Sequence, residues 1–194
     1  HHNSYEKLLA AADTAMYEAK SHEPGGHRFY NANMRNQADR ILEQELEFRN
    51  ALNSQQFRLY FQPQLDLTSN TIRSAEALIR WHHPTRGVIM PSDFIPFAET
   101  YDLIDDIGDW VVHEAIRTAA NWWRQGHQIR LAINVSPKQL NRIELIPYIR
   151  ACLQRYQLPA KAIEIEITEA AIMRSDDVPL ERLQGLRRDG VTIA

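Results

Sequence analysis

The sequence predicts an α/β fold in which helices connect parallel strands. Strand-like and helix-like segments alternate along the second half of the chain, an order typical of parallel sheets with crossover helices. Two strands joined by a short turn come before them and predict an antiparallel pair at the start of the domain. An open doubly wound sheet and a (β/α)8 barrel both fit this pattern. No glycine-rich dinucleotide loop follows a predicted strand, which favours the barrel.

The N-terminal part is predicted to be helical. Apolar residues recur at helical spacing over 5–20, and the Pro-Gly-Gly sequence that follows ends this helix before a short strand at 27–31. A second helix is predicted over 34–52, where Gly and Pro are absent and helix formers are frequent. This helix fits both an interdomain connector and the first helix of the next domain.

The next elements open the α/β domain. Alternating polar and apolar residues predict strands at 57–67 and 71–81, separated by the turn signal Thr-Ser-Asn. We expect a short helix capped by Ser92 next. A long amphipathic helix over 103–126 should follow it and end at Gly126.

The remaining elements repeat one strand–helix rhythm. Strands are predicted at 130–135 and 162–168, and each leads to a helix, at 145–157 and 179–188. Another strand begins near residue 191.

The composition is that of an ordinary globular segment. Of its 194 residues, 44% are apolar and 24% are charged, with a formal net charge of −3. This balance indicates no basic surface for a nucleic-acid polymer, although a pocket can be locally positive and bind a small anion. No apolar stretch reaches the roughly 20 residues of a membrane helix. The single cysteine, Cys152, is expected to be a small core residue and favours a reducing, cytoplasmic setting.

Polar side chains lie opposite or within the aliphatic layers of three predicted strands. Alternation places Glu76 and Arg80 on the same face of the second strand. Asn134 and Glu166 lie opposite aliphatic layers in the two later strands. These side chains lie toward the C-terminal ends of their strands, where barrel enzymes build their active sites.

Two carboxylates and an amide carbonyl form an all-oxygen ligand set. Such a set suits Mg²⁺ or Mn²⁺ better than zinc. A divalent cation held in this way can lower the pKa of a bound water and neutralise a phosphate, and Arg80 could hold phosphate oxygens through two hydrogen bonds.

Each candidate also has a purely structural interpretation. The Glu-Ile-Glu-Ile-Thr stretch over 164–168 is typical of an amphipathic strand with a solvated face, and Asn134 before Val-Ser-Pro can simply end a strand. Glu76 and Arg80 are too far apart along the strand for an automatic salt bridge, but they can pair through neighbouring groups. The adjacent histidines His82 and His83 favour a loop surface over a metal site.

Several motifs in order resemble the EAL-domain family of cyclic di-GMP phosphodiesterases. They are AEALIRWHHPTRGVIMPSDFIPFAE, INVSPKQL and IEIEITEAAI, and the resemblance covers about residues 40–194. The opening LLAAADTAMYEAKSHEPGGHRFYN resembles the last helix and strand of a GGDEF domain. These likenesses imply a GGDEF remnant over 1–33, a linker helix over 34–53 and the N-terminal part of an EAL domain over 54–194.

The EAL resemblance implies a TIM-like (β/α)8 barrel that hydrolyses cyclic di-GMP to linear pGpG with Mg²⁺ or Mn²⁺. Its catalytic candidates are Glu76, a metal ligand, and Glu169, which matches the glutamate that supports the loop over the active site. The other candidates are the metal ligands Asn134 and Glu166 and the dinucleotide contacts Gln62 and Arg80.

The family pattern continues beyond the last residue of this sequence. Family members add an Asp-Asp-Phe-Gly motif after the strand that begins at Val191, and a later lysine and glutamate complete the site. The barrel is therefore expected to be incomplete here. The isolated segment is expected to be inactive, to bind metal poorly and to expose strand edges that favour association. The GGDEF signature is absent, so no cyclase activity is expected.

Three functional hypotheses are compatible with the sequence. A metal-dependent phosphodiesterase within a longer signalling protein is favoured by intact Glu76, Asn134 and Glu166. A catalytically silent EAL module that binds cyclic di-GMP as a sensor or effector is the alternative. Paired glutamates in a barrel also fit a glycosidase, which Asn134 and Arg80 disfavour.

The expected partner is cyclic di-GMP, with no nucleic-acid polymer and no membrane contact from this segment. The sequence leaves open whether the protein forms a homodimer through the EAL domain. The expected location is the cytoplasm, and an N-terminal region outside this sequence could anchor the longer protein to the inner membrane.

Overall fold

The computed structural model forms two compact units, His1–Asn50 and Ala51–Ala194. It describes residues 32–167 and 180–194, together with 5, 8, 9, 11–13, 15, 16, 27, 29 and 30.

Most described residues of the first unit are helical. The described positions between residues 5 and 16 are helical, as the pattern over 5–20 predicts. Residues 27, 29 and 30 have no regular structure, so the strand predicted there is wrong at these positions. The predicted second helix is confirmed as α1, Ala32–Asn53, which continues into the second unit.

The antiparallel strand pair opens the second unit. Strand β1, Phe57–Asp66, pairs with β2, Thr71–His83. In the turn between them Asn70 has a φ of 52°, a left-handed conformation that asparagine tolerates well. The Asp66 carboxylate accepts a 2.8 Å hydrogen bond from the Thr68 backbone amide. A short strand that the sequence did not predict, β3, Gly87–Ile89, pairs with the end of β2.

Parallel strands complete the sheet on the other side of β2. In the described part of the second unit, the strand order is β1-β2-β4-β5-β6, with β3 attached to β2. The later strands are β4, Arg130–Asn134, β5, Ile163–Glu166, and β6, Thr192–Ile193. The pairs β2–β4, β4–β5 and β5–β6 are all parallel. The predicted antiparallel start and parallel continuation are therefore both confirmed.

The helices follow the predicted order, with two differences. The helix predicted to be capped by Ser92 begins two residues earlier than expected, at Pro91, and its N-cap is Met90. Proline suits the first helical position because its fixed φ is already helical and it has no N–H to satisfy. A short helix before the one predicted at 145–157 was not expected. The helices after α1 are α2, Pro91–Thr100; α3, Ile104–Arg124; α4, Pro137–Asn141; α5, Leu145–Tyr156; and α6, Leu180–Arg188.

Helix α3 covers one face of the sheet and forms the core with it. Its apolar stripe contacts β4 and α5, and Ile116 on α3 and Leu131 on β4 are fully buried. The side chain of Cys152 on α5 is also buried, which confirms the predicted core thiol. No helix in the described part of the chain is long and apolar enough to cross a membrane.

Successive side chains of β2 point to opposite faces of the sheet. Ala75, Ala77 and Ile79 are buried, whereas the alternate residues Glu76 and Leu78 are only partly covered. This period-two pattern leaves the polar side chains of the strands on the face opposite the core.

Candidate functional site

The candidate site lies at the C-terminal ends of β4 and β5 and on the adjacent part of β2. Ala77 pairs with Ile133, and Asn134 pairs with Glu166. This register places residues that are far apart in the sequence next to one another. The Nδ2 atom of Asn134 donates a hydrogen bond of 2.7 Å to Oε1 of Glu76, 58 positions earlier in the chain.

Glu166 belongs to the same cluster. Partial burial raises the pKa of the Glu166 carboxyl above its ordinary value of 4.5, and the negative charges of Glu76 and Glu164 raise it further. A hydrogen bond with the Gln64 side chain acts in the opposite direction. Glu166 is therefore close enough to Glu76 to sense its charge. The structure thus brings together Glu76, Asn134 and Glu166.

The two predicted dinucleotide contacts lie on strands β1 and β2 of this site. Gln62 is directly opposite Glu76 in the antiparallel pair. Arg80 is four residues beyond Glu76, and its Nη1 donates to the backbone oxygen of Ile79 at 2.8 Å. Its guanidinium also lies 5.8 Å from the ring centre of Tyr60. Among the described contacts no ion pair joins Arg80 to Glu76.

Glu169, the remaining predicted site residue, lies outside the described residues. Its position relative to the Glu76–Asn134–Glu166 cluster is therefore a prediction from the motif.

An apolar cavity adjoins the cluster. It has a volume of about 320 Å³, and Asn134 and Glu166 form part of its wall. Ile95, Ile107 and Val111 contribute apolar surface to the same cavity. The site therefore combines oxygen donors with an apolar recess of the size of a small ligand group.

The donor atoms of the cluster fit a hard divalent cation. Two carboxylates and an amide provide only oxygen ligands, the kind that Mg²⁺ and Mn²⁺ prefer. Glu76 and Glu166 repel each other, and a bound cation would offset that repulsion. Within the described residues no group of three or more His, Cys, Asp or Glu residues could hold a metal. The cluster combines two carboxylates with the amide of Asn134.

The two histidines at the end of β2 do not lie on a loop. Both His82 and His83 belong to the strand, and His83 is buried. Nδ1 of His83 accepts hydrogen bonds from the backbone amides of Thr85 and Arg86, at 3.2 and 3.1 Å. The prediction of a loop surface is therefore wrong, and His83 instead stabilises the turn that leads into β3.

Two glutamines near the site were not identified from the sequence. Gln64 interacts with Glu166, and it shares the face of Gln62, two residues before it. Gln139 is buried and forms a capping box with Ser136. The spacing Ser-Pro-Lys-Gln is a recognised helix-start signal and could have revealed both α4 and this contact.

A comparison with protein families gives one match. The family described as "EAL domain" matches residues 45–194, which is most of the chain.

Two curated relatives are similar over nearly the whole chain. "Signaling protein YkoW" of Bacillus subtilis is 36% identical over 188 residues, which cover 97% of this chain and 24% of that protein. "Cyclic di-GMP phosphodiesterase NbdA" of Pseudomonas aeruginosa is 34% identical over 190 residues, with the same 97% and 24% coverage. The chain thus spans about a quarter of the length of these relatives.

A solved structure shares the architecture. The structure described as "PaMucR Phosphodiesterase, c-di-GMP complex" is 35% identical to this chain, with a TM-score of 0.73. The match covers 79% of this chain and 62% of that one. This likeness confirms the TIM-like barrel class and excludes the open doubly wound sheet.

Proposed function

The chain belongs to the EAL-domain family, and from this premise we propose that the protein hydrolyses cyclic di-GMP to linear pGpG as part of a longer signalling protein. The proposal includes a requirement for Mg²⁺ or Mn²⁺. The relative NbdA is named a cyclic di-GMP phosphodiesterase, and the MucR structure contains cyclic di-GMP. The observation that carries the proposal is the 2.7 Å contact between Asn134 and Glu76, next to Glu166 on the adjacent strand.

Glu76, Asn134 and Glu166 would hold the cation. When bound there, a divalent cation lowers the pKa of a coordinated water and neutralises negative charge on a phosphodiester. Burial and the neighbouring carboxylates raise the pKa of Glu166, so this carboxyl keeps its proton to a higher pH than an ordinary glutamate, and only its ionised form can act as a ligand. Metal affinity is therefore expected to fall as the pH is lowered toward the pKa of Glu166.

Gln62 and Arg80 would orient the dinucleotide. The side chain of Gln62 starts opposite Glu76 and carries both a donor and an acceptor for hydrogen bonds. Arg80 now donates to a neutral backbone oxygen, and a phosphate would be a stronger partner because charge-assisted hydrogen bonds exceed neutral ones. The apolar cavity beside Asn134 offers a dry surface of the kind that a nucleobase needs.

Two parts of the proposal have separate support. Glu169 is assigned the role of supporting the loop over the active site from its place in the Glu-Ile-Thr-Glu motif. A cytoplasmic location is supported by the free, buried thiol of Cys152, which is typical of proteins in a reducing compartment.

The test is turnover of cyclic di-GMP by the full-length protein with Mg²⁺, with Mn²⁺ and with EDTA. Glu76→Gln keeps the shape of the side chain but removes its charge, so we expect kcat to fall by about 100-fold or more. The control is Glu43→Gln on the exposed surface of α1, which should leave turnover unchanged. If the wild-type protein binds cyclic di-GMP but shows no turnover with either metal, the silent-module hypothesis replaces this one.

A further inference from the structure

Helix α4 joins the end of β4 to the start of α3 through one buried side chain. The helix begins three residues after Asn134, at Pro137. Its third residue, Gln139, is 6% exposed, although glutamine is a residue type that is mostly exposed in proteins. A buried amide must satisfy its hydrogen-bonding atoms internally, so the contacts of Gln139 indicate what it holds in place.

The amide of Gln139 connects two segments that are distant in the sequence. Its Oε1 accepts a hydrogen bond of 2.9 Å from the backbone amide of Ser136. Its Nε2 donates a hydrogen bond of 3.2 Å to the backbone oxygen of Ile104. The backbone amide of Gln139 donates in return to Oγ of Ser136 at 3.3 Å. One side chain thus fixes the connection after Asn134 to the first turn of α3.

Gly108 on α3 provides the space for this amide. A β-carbon at Gly108 would lie 1.6 Å from Nε2 and 2.8 Å from Cδ of Gln139. Glycine inside a helix costs about 1 kcal/mol relative to alanine. In the structure, this glycine lets the Gln139 amide approach the backbone of α3.

Other contacts hold α4 in place independently of Gln139. Nζ of Lys138 donates to the backbone oxygen of Glu99 at 2.8 Å and also pairs with the carboxylate of Asp102. The guanidinium of Arg142 pairs with Asp109 at 2.6 Å. Loss of the Gln139 amide is therefore expected to loosen the connection after β4 while α4 stays on α3.

We propose that Gln139 is a positioning residue for the metal ligand Asn134, and that Gly108 makes this role possible. The inference rests on the proposed function, because it concerns the cation that Asn134 would bind. Val135 and Ser136 are the only residues between Asn134 and α4. By holding the Ser136 amide, Gln139 limits the directions in which Asn134 can project toward Glu76.

The first test measures Mn²⁺ binding to the full-length protein by isothermal titration calorimetry. Gln139→Leu keeps the approximate volume and removes the amide. We expect its Mn²⁺ dissociation constant to rise about 10-fold, the lower end of the range for residues that orient metal ligands. The matched control is Gln154→Leu on the exposed face of α5, which should bind Mn²⁺ like the wild type. Excess Mn²⁺ should restore most of the kcat of Gln139→Leu, a rescue that a general loss of folding would not show.

A second pair of variants separates positioning from packing. Gly108→Ala should displace the Gln139 amide, so it should both lower the melting temperature and weaken Mn²⁺ binding. Adding Gln139→Ala removes the side chain that clashes. The double variant should therefore regain melting temperature while its Mn²⁺ binding stays about 10-fold weaker than that of the wild type.

The outcomes distinguish the two proposals. If the wild-type protein binds Mn²⁺ and the double variant or Gln139→Leu binds it equally tightly, the positioning role is wrong and the proposed function stands. If the wild-type protein binds neither Mn²⁺ nor Mg²⁺, the proposed function fails; if it binds Mg²⁺ alone, the same variants are compared with Mg²⁺. If Gln139→Leu does not fold, the Mn²⁺ affinity of the double variant alone decides whether Gln139 has a positioning role.

Discussion

Asn134→Asp tests the convergence of the three candidate ligands most directly. In the structure, Asn134 Nδ2 donates to Oε1 of Glu76 at 2.7 Å. The substitution replaces this donor with a carboxylate oxygen, so an attractive contact becomes a repulsive one. Two unit charges about 4 Å apart repel by about 1 kcal/mol in water and about 4 kcal/mol at an effective dielectric constant of 20.

The expected loss of stability follows from these two effects. The lost hydrogen bond to a charged acceptor contributes about 1.5–3 kcal/mol where it is shielded, and less here because Asn134 is exposed. The repulsion energy between residue 134 and Glu76 also lies at the low end of its range, about 1 kcal/mol, because position 134 is exposed to solvent. We expect the free energy of unfolding in EDTA at neutral pH to fall by about 1.5–2.5 kcal/mol.

The assay is urea unfolding of the full-length protein in EDTA, at neutral pH and near pH 4. The repulsive part of the penalty requires ionised carboxylates, so it should shrink as the pH falls toward their ordinary pKa values. Saturating Mn²⁺ should also remove most of it, because a ligand that binds only the folded state stabilises that state. Asn121→Asp on the exposed face of α3 adds the same charge and is the control. An Asn134→Asp penalty no larger than that of the control would refute the convergence.

Three further substitutions test the fold and the electrostatics around the site. Ile133→Ala, at a residue 1% exposed in β4, should lower the free energy of unfolding by about 2–5 kcal/mol, whereas Ile143→Ala at a 68% exposed position should change it by less than about 0.5 kcal/mol. In EDTA, Glu166→Gln should become increasingly stable relative to the wild type as the pH rises above 4.5. Burial and Glu76 raise the pKa of the Glu166 carboxyl, so this group loses its stabilising contribution to the wild type as it ionises. Urea midpoints of the variant and the wild type that run parallel between pH 4 and 8 would contradict this. Arg142→Met should destabilise by about 1–3 kcal/mol, because it leaves the partly buried carboxylate of Asp109 without its cationic partner; an unchanged urea midpoint would show that the pair contributes nothing.

The order of the elements could be predicted because it follows from local patterns. The strands β1, β2, β4 and β5 and the helices α3 and α5 each carry a clear period of two or 3.6 residues. The parity argument placed Glu76 and Asn134 opposite or within the aliphatic layers of their strands, and the structure joins them by a hydrogen bond. Parity fixes the face of each side chain within its strand, but the parallel register, in which Glu76 pairs with Ala132, decides that Asn134 lies within reach of Glu76.

The sequence-based predictions differ from the structure where tertiary contacts or small energy differences decide the local conformation. Ser92 and Met90 compete for the start of α2, and the fixed φ of Pro91 decides in favour of Met90. The burial of His83 depends on backbone amides of the turn that follows it, which a strand pattern does not reveal. The Gln139–Ile104 contact spans 35 positions and requires knowledge of how α4 packs against α3.

The amide at position 134 can also be explained by the charges around it. Glu76 and Glu166 already repel each other, as the raised pKa of Glu166 shows. A third carboxylate would bind a divalent cation more strongly but would add repulsion whenever no cation is bound. An amide carries both a donor and an acceptor, so Asn134 can donate to Glu76 and can also offer its Oδ1 to a cation. The ligand set therefore balances stability of the fold against affinity for the metal, which is why we expect Asn134→Asp to be destabilising in EDTA and tolerated in Mn²⁺.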